Sequence, residues 1–147
     1  MRREAQAVWR GGLYAGEGRV LTPSKGLEAF RYSFDLSIGD SVTSPCELLA
    51  ASIASCMSTM VAVEMAKAGL TPKTVETHAA VTLENLADRW QISGVALEIN
   101  AHSIESDCFR FEKAVKAAGE NCPISNALNL RVECKTRLIP SFAETPV

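Results

Sequence analysis

Two cysteines of this chain lie in segments that could support thiol chemistry. Cys56 ends the segment SPCELLAASIASC, residues 44–56, and Cys122 lies in ENCPIS, residues 120–125. Pro123 suits the first position of a helix, so Cys122 would be the cap, where unpaired backbone N–H groups lower a thiol pKa. A thiol with a lowered pKa is both a nucleophile and a good leaving group in a disulfide. Taken alone, Cys122 is more simply a cap or a small buried residue.

Cys56 alone is a weaker candidate than Cys122. It lies in the middle of a predicted helix, where the helix dipole has little effect on a thiol, and burial there would raise its pKa. It would need a nearby cation, such as an arginine, to be a thiolate. The periodicity of the segment therefore favours a buried, unreactive cysteine.

The other three cysteines have simple interpretations. Cys46 falls in a first helical turn, where it either fills space as a small residue or, because the dipole favours a thiolate, acts as a third redox thiol. The Asp107 carboxylate beside Cys108 disfavours a thiolate. Cys134 lies on the apolar face of a predicted strand and is expected in the core. Five cysteines in 147 residues favour free thiols, with at most one functional pair, over a disulfide framework.

The helix that holds Cys56 is predicted over residues 44–68. Ser44 and Glu47 have the Ser-x-x-Glu spacing of a capping box, in which each side chain accepts a hydrogen bond from the backbone N–H of the other residue. Gly69 is expected to end the helix in a left-handed conformation. The sequence thus predicts both ends of this element.

This helix is apolar on nearly all sides. Between residues 48 and 66 the one charged residue is Glu64. Its length is that of a membrane span, but its serines, its threonine and Glu64 argue against a lipid environment. An all-apolar helix must be buried on nearly all sides, and a single domain of this size rarely surrounds one. We therefore expect a homodimer in which two copies of the helix pack together.

Alternating apolar and polar residues predict strands on both sides of the helix. The predicted strands cover residues 30–38, 75–83, 95–101 and 130–138, and further helices cover residues 107–118 and a short segment from Pro123. A turn at residues 85–89 joins the second and third strands into a hairpin. Gly94 interrupts the alternation of apolar and polar residues along the third strand, as a bulge would. This order predicts a single α+β domain, residues 1–147, with an antiparallel sheet.

Composition and charge limit the possible partners. The net charge of −2 gives no electrostatic reason to expect nucleic acid or an anionic membrane surface. The basic start MRREAQAVW is followed by no apolar segment of a signal peptide, so we expect a cytoplasmic protein. His78 and His102 lie on predicted strands without ligand spacing to the cysteines, and no metal site is expected.

The combined pattern resembles the OsmC/Ohr family of osmotically inducible and organic-hydroperoxide-resistance proteins. SPCELLAASIASC in a long helix, then AGLTPKTVETHAAVTLE, then GENCPISNAL and a final strand carry the resemblance, which runs from about Trp9 to Leu138. The segments AQAVWRGG and GEGRVLTPSKGL are similar to the N-terminal hairpin of the family. The resemblance implies an intertwined homodimer, with antiparallel sheets wrapped around two long central helices.

The resemblance also implies a function as a thiol peroxidase that acts on organic hydroperoxides. Cys56 would be the cysteine that attacks the peroxide and becomes a sulfenic acid. Cys122 would then form a disulfide with Cys56, and an external dithiol would reduce the pair. The implied chemistry requires no metal and no organic cofactor.

The sequence departs from the family at the residues that activate the cysteine. Family members use an arginine held by a glutamate that directly follows the proline of the helix start, and Cys46 occupies that position here. Glu47 matches the next position, but nine residues separate it from Cys56, about 13 Å along one helix. Arg19 is our candidate for the arginine. The alternative hypothesis is a non-catalytic member that binds a small apolar ligand at the dimer interface.

Overall fold

Residues 1–13, 15–33, 42–129 and 131–141 are described by the structure, a computed structural model of one chain. The strands are β1 (Gln6–Arg10), β2 (Glu17–Leu21), β3 (Phe30–Tyr32), β4 (Pro72–Leu86), β5 (Arg89–Ser103) and β6 (Val132–Pro140); the helices are α1 (Pro45–Lys67), α2 (Cys108–Asn121) and α3 (Pro123–Leu128). The chain divides into two compact units, Met1–Leu48 and Leu49–Val147. A single domain over residues 1–147 remains a prediction.

In the first unit, β1, β2 and β3 form an antiparallel sheet. Gly18 lies opposite both Trp9 and Tyr32, whose ring centroids are 5.8 Å apart. A Cβ atom at Gly18 would lie 2.2 Å from the Tyr32 ring, so glycine leaves the space that this ring occupies. The predicted strand at residues 30–38 is confirmed over Phe30–Tyr32, and its residues 34–38 lie outside the described residues.

Helix α1 begins and ends as the sequence predicts. The Glu47 N–H donates to Ser44 Oγ at 3.2 Å, and the Ser44 N–H donates to Glu47 Oε2 at 3.1 Å, so the capping box is confirmed. At the other end Gly69 has a φ of +76°. The Leu70 N–H donates to the Met65 carbonyl at 2.9 Å, which closes the last turn.

Only part of α1 is buried within one chain. Its buried residues are Ile53, Met57, Val61, Glu64 and Met65. The helix is long and apolar enough to cross a membrane by length and composition, and 17% of its most apolar 18-residue window is buried. The exposed face is a row of small residues at helical spacing: Ala51, Ser55, Thr59, Val63 and Ala66. The expected burial on nearly all sides is therefore not reached within a single chain.

In the second unit, β4 and β5 form the predicted hairpin. The two-residue turn between Leu86 and Arg89 has positive φ at Ala87 and Asp88, 51° and 63°. The bulge is confirmed, because Thr82 lies opposite Gly94 and Leu83 lies opposite Ile92. The residue between them on β5 has no partner, which shifts the alternation along the strand.

The prediction of a purely antiparallel sheet is wrong for β6. This strand pairs with β5 in parallel, so the sheet β4-β5-β6 is mixed. Helices α2 and α3 connect β5 to β6, and a helical crossover returns the chain to the same end of the sheet, as a parallel pair requires. Helix α2 also continues through Gly119, where the sequence analysis ends it.

Cys134 lies opposite the buried Leu97 and lines a cavity with Met57, as its predicted inward orientation requires, but the predicted burial in the core is wrong within one chain, where this cysteine is exposed. β6 lies at the edge of its sheet, and its residues up to Arg137 are exposed. The core of the second unit is formed by α1, β5 and α2, together with Leu70 after α1 and Cys122 after α2. It consists of Ile53, Met57, Val61, Met65, Leu70, Val95, Leu97, Ile99, Ala101, Phe111, Ala114, Val115, Ala118 and Cys122.

Candidate active site

The sulfur atoms of Cys56 and Cys122 lie 2.8 Å apart within one chain, although the residues are 66 positions apart. Cys56 projects from the middle of α1 and is half-buried, whereas Cys122 is completely buried. Both cysteines are free thiols in this structure. The packing of α2 against α1 thus brings together the two sulfurs that the family resemblance pairs.

Cys122 owes its position to the corner between two helices. It is at once the C-cap of α2 and the N-cap of α3, with φ −72° and ψ 111°, and Pro123 begins α3. The Asn126 N–H donates to the Cys122 carbonyl at 3.1 Å, and Asn126 Nδ2 donates to the Glu120 carbonyl at 2.8 Å. These bonds hold α3 against the end of α2, so the predicted cap role of Cys122 is confirmed.

Ser125 provides two hydrogen bonds to the Cys122 sulfur. Its hydroxyl donates to Cys122 Sγ at 3.3 Å, and its backbone N–H donates to the same atom at 3.5 Å. Hydrogen bonds to the charged form of a group favour that form. Sequence analysis did not single out Ser125, although its place three residues after the cap is a signal for such a contact.

The surroundings of the two thiols shift their pKa values in opposite directions. Burial raises the pKa of Cys122, but the hydrogen bonds with Cys56, with the Ser125 hydroxyl and with the backbone at Ser125 and Ile124 outweigh burial, and the pKa is lowered. Burial raises the pKa of Cys56, and the hydrogen bond with Cys122 raises it further. Within one chain a thiolate is therefore favoured at Cys122, as its cap position and the burial expected at Cys56 predict, whereas the family resemblance implies that the attacking thiolate is Cys56.

Glu47 lies at the start of α1, where its carboxylate completes the capping box and accepts a hydrogen bond from Thr43 Oγ1 at 2.8 Å. This carboxylate is therefore engaged locally, and the same helix carries Cys56 more than two turns further on. The structure gives Glu47 a structural role as the partner of Ser44 in the capping box.

Arg19 lies on β2 beside a carboxylate that the sequence analysis did not single out. Arg19 Nη2 is 3.4 Å from Glu17 Oε1, and Arg31 Nη2 is 3.1 Å from Glu17 Oε2. Arg19 and Arg31 lie directly opposite each other on β2 and β3, so Glu17 offsets the repulsion between them. Within the described ranges, no arginine or lysine hydrogen-bonds to the sulfur of Cys56 or Cys122.

Each unit also contains a cavity. In the first unit, a mostly apolar cavity of about 280 Å³ is lined by Trp9, Leu13, Tyr32, Ser33 and Pro45. In the second unit, a cavity of about 400 Å³ is lined by Met57, Leu97, Val115, Lys116, Gly119, Glu120, Ser125, Asn126, Val132 and Cys134. Across the described parts of the chain, no group of three or more His, Cys, Asp or Glu residues could hold a metal ion.

Residues 38–137 match the model of a family described as OsmC-like protein. The match covers more than half of the chain and includes both Cys56 and Cys122. The chain belongs to the OsmC-like family. The resemblance seen in the sequence motifs is thereby confirmed.

Relatives of the OsmC-like family agree with this assignment. Peroxiredoxin OsmC of Escherichia coli (strain K12) is 30% identical over 131 residues, which cover 88% of this chain and 92% of that protein. The organic hydroperoxide resistance protein OhrB of Bacillus subtilis is 25% identical, with a TM-score of 0.69 over 92% of this chain and 98% of OhrB.

A more distant structure shares the fold alone. The OsmC-like protein from Mycoplasma pneumoniae has a TM-score of 0.78 at 14% identity, and the match covers 95% of this chain and 98% of that protein. The mixed α/β fold of this chain is therefore that of its OsmC-like relatives.

Proposed function

We propose that this OsmC-like protein is a thiol-dependent peroxidase that reduces organic hydroperoxides. The observation that carries the proposal is the 2.8 Å separation of the Cys56 and Cys122 sulfurs, because a disulfide can form only between sulfurs that approach each other. Membership of the family and relatives named peroxiredoxin OsmC and organic hydroperoxide resistance protein support the same chemistry.

The proposed cycle has three steps. The Cys56 thiolate attacks the peroxide; the O–O bond breaks, the sulfur is oxidised to a sulfenic acid, and the alkoxide leaves and takes a proton to become an alcohol. The Cys122 thiolate attacks the sulfenic sulfur, an S–S bond forms, and the hydroxide that leaves becomes water. An external dithiol then reduces the disulfide and is itself oxidised to a disulfide.

Cys56 must be activated for the first step, because its pKa is raised within one chain. A cation near the sulfur would favour the thiolate. We assign this role to Arg19, which forms an ion pair with Glu17 as the family's arginine does with its glutamate. Any contribution of Glu47 would come from a second copy of the chain, because Glu47 lies about 13 Å from Cys56 along its own helix.

We propose that the active form is a homodimer. The exposed row of small residues on α1 would allow the backbone of a second helix to approach closely, and α1 is too apolar to remain exposed to water. A second copy of α1 offers the same surface, so a symmetric contact is possible. Two central helices, one from each chain, would then form the middle of the assembly.

A second candidate function is that of a non-catalytic protein that binds a small apolar ligand. Two observations favour it: the raised pKa of Cys56, and the mostly apolar cavity of about 280 Å³ lined by the Trp9 and Tyr32 rings. Such a protein would keep the family fold and would not consume its thiols when it meets a peroxide.

The decisive experiment counts free thiols after reduced protein is mixed with cumene hydroperoxide. We expect the loss of two thiols per chain and a peptide pair linked through Cys56 and Cys122. Cys56→Ser should abolish the loss, and Cys108→Ser, which changes an exposed cysteine, should leave it intact. Arg19→Ala should slow it by about tenfold, as expected for one interaction with a charged group.

Two outcomes would contradict the proposal. If the reduced protein keeps all five thiols, the binding function is favoured. If thiols are lost equally in Cys56→Ser, the reaction does not proceed through this residue. An unchanged rate in Arg19→Ala would remove Arg19 from the mechanism and leave the roles of the two cysteines intact.

A further inference from the structure

Ser125 is the one residue whose side chain and backbone both donate hydrogen bonds to a sulfur of the thiol pair, among the residues that the structure describes. The hydroxyl lies 3.3 Å and the amide nitrogen 3.5 Å from Cys122 Sγ. The sulfur they contact is completely buried, so solvent cannot replace these donors. Ser125 therefore supplies two of the hydrogen bonds that would stabilise a Cys122 thiolate, beside those with Cys56 and the backbone at Ile124.

The position of Ser125 is well defined by its neighbours. It lies in α3, which Pro123 begins and which the Asn126 side chain ties to the end of α2. Ser125 also lines the cavity of about 400 Å³ in the second unit. The hydroxyl is thus held in place and aimed at one of the two sulfurs.

We propose that the Ser125 hydroxyl is a positioning residue that holds Cys122 as the thiolate of the pair, so that Cys122 is the sulfur that attacks the sulfenic acid. This inference rests on the proposed function. In that step the Ser125 O–H stabilises the charge on Cys122 until the S–S bond forms and the hydroxide leaves Cys56. When the dithiol attacks Cys56, the S–S bond breaks and the same O–H stabilises the Cys122 thiolate that leaves.

The test compares the rate of disulfide formation in Ser125→Ala and in the unchanged protein at several pH values. Excess cumene hydroperoxide makes disulfide formation the slow step in stopped flow. Loss of the hydroxyl should raise the pKa of Cys122 by about one pH unit, which is the scale of one hydrogen bond to a charged sulfur. Below its pKa, a more basic thiol is deprotonated in a smaller fraction of the molecules, but each thiolate that forms is a stronger nucleophile.

These opposing effects give the proposal a distinctive signature. Below the pKa of Cys122, Ser125→Ala should form the disulfide about threefold more slowly, because the smaller fraction of thiolate outweighs the higher nucleophilicity of each thiolate. Well above it, the variant should react about threefold faster. A residue that merely supports the fold would slow the reaction at every pH. Dimedone should trap more sulfenic acid on Cys56 in the variant at low pH.

Two further variants separate the hydroxyl from the shape of the side chain. Ser125→Thr keeps a hydroxyl and should behave as the unchanged protein, whereas Ser125→Val has the same shape as threonine and should behave as Ser125→Ala. This pair decides the question even if Ser125→Ala folds poorly. Ser93→Ala, which removes an exposed hydroxyl from the bulge of β5, serves as the matched control and should change nothing.

The two proposals can fail separately. If the unchanged protein forms neither a dimedone adduct nor a disulfide, the peroxidase function is wrong, and the role of Ser125 in it is overturned as well. If the disulfide forms and both Ser125→Ala and Ser125→Val match the unchanged rate at each pH, the Ser125 proposal alone is wrong. A uniform decrease at all pH values would also overturn it.

Discussion

Cys56 and Cys122 behave differently because their surroundings differ, although each side chain is the same. Cys122 is buried but accepts hydrogen bonds that favour its thiolate, whereas Cys56 has burial and a neighbouring thiol that disfavour one. A thiolate is therefore favoured at Cys122 within one chain, and the proposed peroxide reaction needs a cation that favours the thiolate of Cys56. Hydrogen bonds also lower the pKa of a carboxylate elsewhere in the second unit.

The Glu105 carboxylate joins two segments of the second unit, and its protonation should weaken the fold. It accepts hydrogen bonds from Thr71 N at 2.6 Å, Thr71 Oγ1 at 2.9 Å and Ser103 Oγ at 2.9 Å, which lower its pKa from 4.5 to about 2. A lowered pKa stabilises the fold above the unfolded value, and this contribution is lost as the pH falls from 4.5 towards 2.

We therefore expect Glu105→Gln to lower the free energy of unfolding at pH 7, and the difference from the unchanged protein to shrink as the pH falls through this window. Urea unfolding followed by circular dichroism at pH 7, 5, 4 and 3 measures it. Glu98→Gln, at an exposed position on β5, should show no such pH dependence. A difference for Glu105→Gln that stays constant over this range would contradict the assignment.

Glycine has different roles in α1 and α2, at the end of the first helix and in the interior of the second. Gly69 ends α1 in a left-handed conformation, with φ +76°, that costs other residues about 1 kcal/mol or more. Gly119 lies inside α2, where an added Cβ would have nothing within 4 Å. The same substitution should thus have opposite effects at the two positions.

We expect Gly69→Ala to destabilise the protein by about 1 kcal/mol, although the nearest atom to its Cβ would be 3.7 Å away, because the cost is conformational. Gly119→Ala should stabilise α2 by roughly 0.5–1 kcal/mol through its higher helix propensity. Chemical denaturation of both variants measures the two effects. No loss for Gly69→Ala would show that the end of α1 does not depend on the left-handed conformation, and a loss for Gly119→Ala would contradict the expected gain in α2.

At the scale of the whole molecule, the main feature is the apolar helix α1, one face of which is exposed within one chain. The buried side of α1 packs in the core of the second unit, while Ala51, Ser55, Thr59, Val63 and Ala66 face outward. One chain supplies both sulfurs, so a second chain is not needed for the disulfide itself. Its proposed contributions are to cover α1 and to complete the surroundings of Cys56.

We expect the unchanged protein to sediment as a dimer at micromolar concentration and Val63→Arg to sediment as a monomer. Arginine in the row of small residues would place a charge and a long side chain between two helices that must approach closely. Phe109→Arg, at an apolar position on α2 that is 67% exposed, is the matched control and should remain a dimer. A monomeric unchanged protein, or a dimeric Val63→Arg, would rule out this contact.

Local features of the fold were predictable from residues close together in the chain. The capping box of Ser44 and Glu47, the end of α1 at Gly69 and the cap at Cys122 depend on neighbours within a few positions, and each is confirmed. The bulge beside Gly94, also confirmed, lies within a single hairpin. For the same reason the motifs around Cys56 and Cys122 sufficed to indicate the family.

Features that join distant segments could only be decided by the tertiary structure. The parallel pairing of β6 depends on where α2 and α3 return the chain, and the exposure of Cys134 depends on the edge position of that strand. The 2.8 Å approach of the Cys56 and Cys122 sulfurs and the ion pair between Glu17 and Arg31 likewise join residues far apart in the chain, so no local pattern specifies them. The cap position of Cys122 and the mid-helix position of Cys56 predicted the directions of their pKa shifts, but the contact between the two thiols, which adds to both shifts, exists only in the tertiary structure.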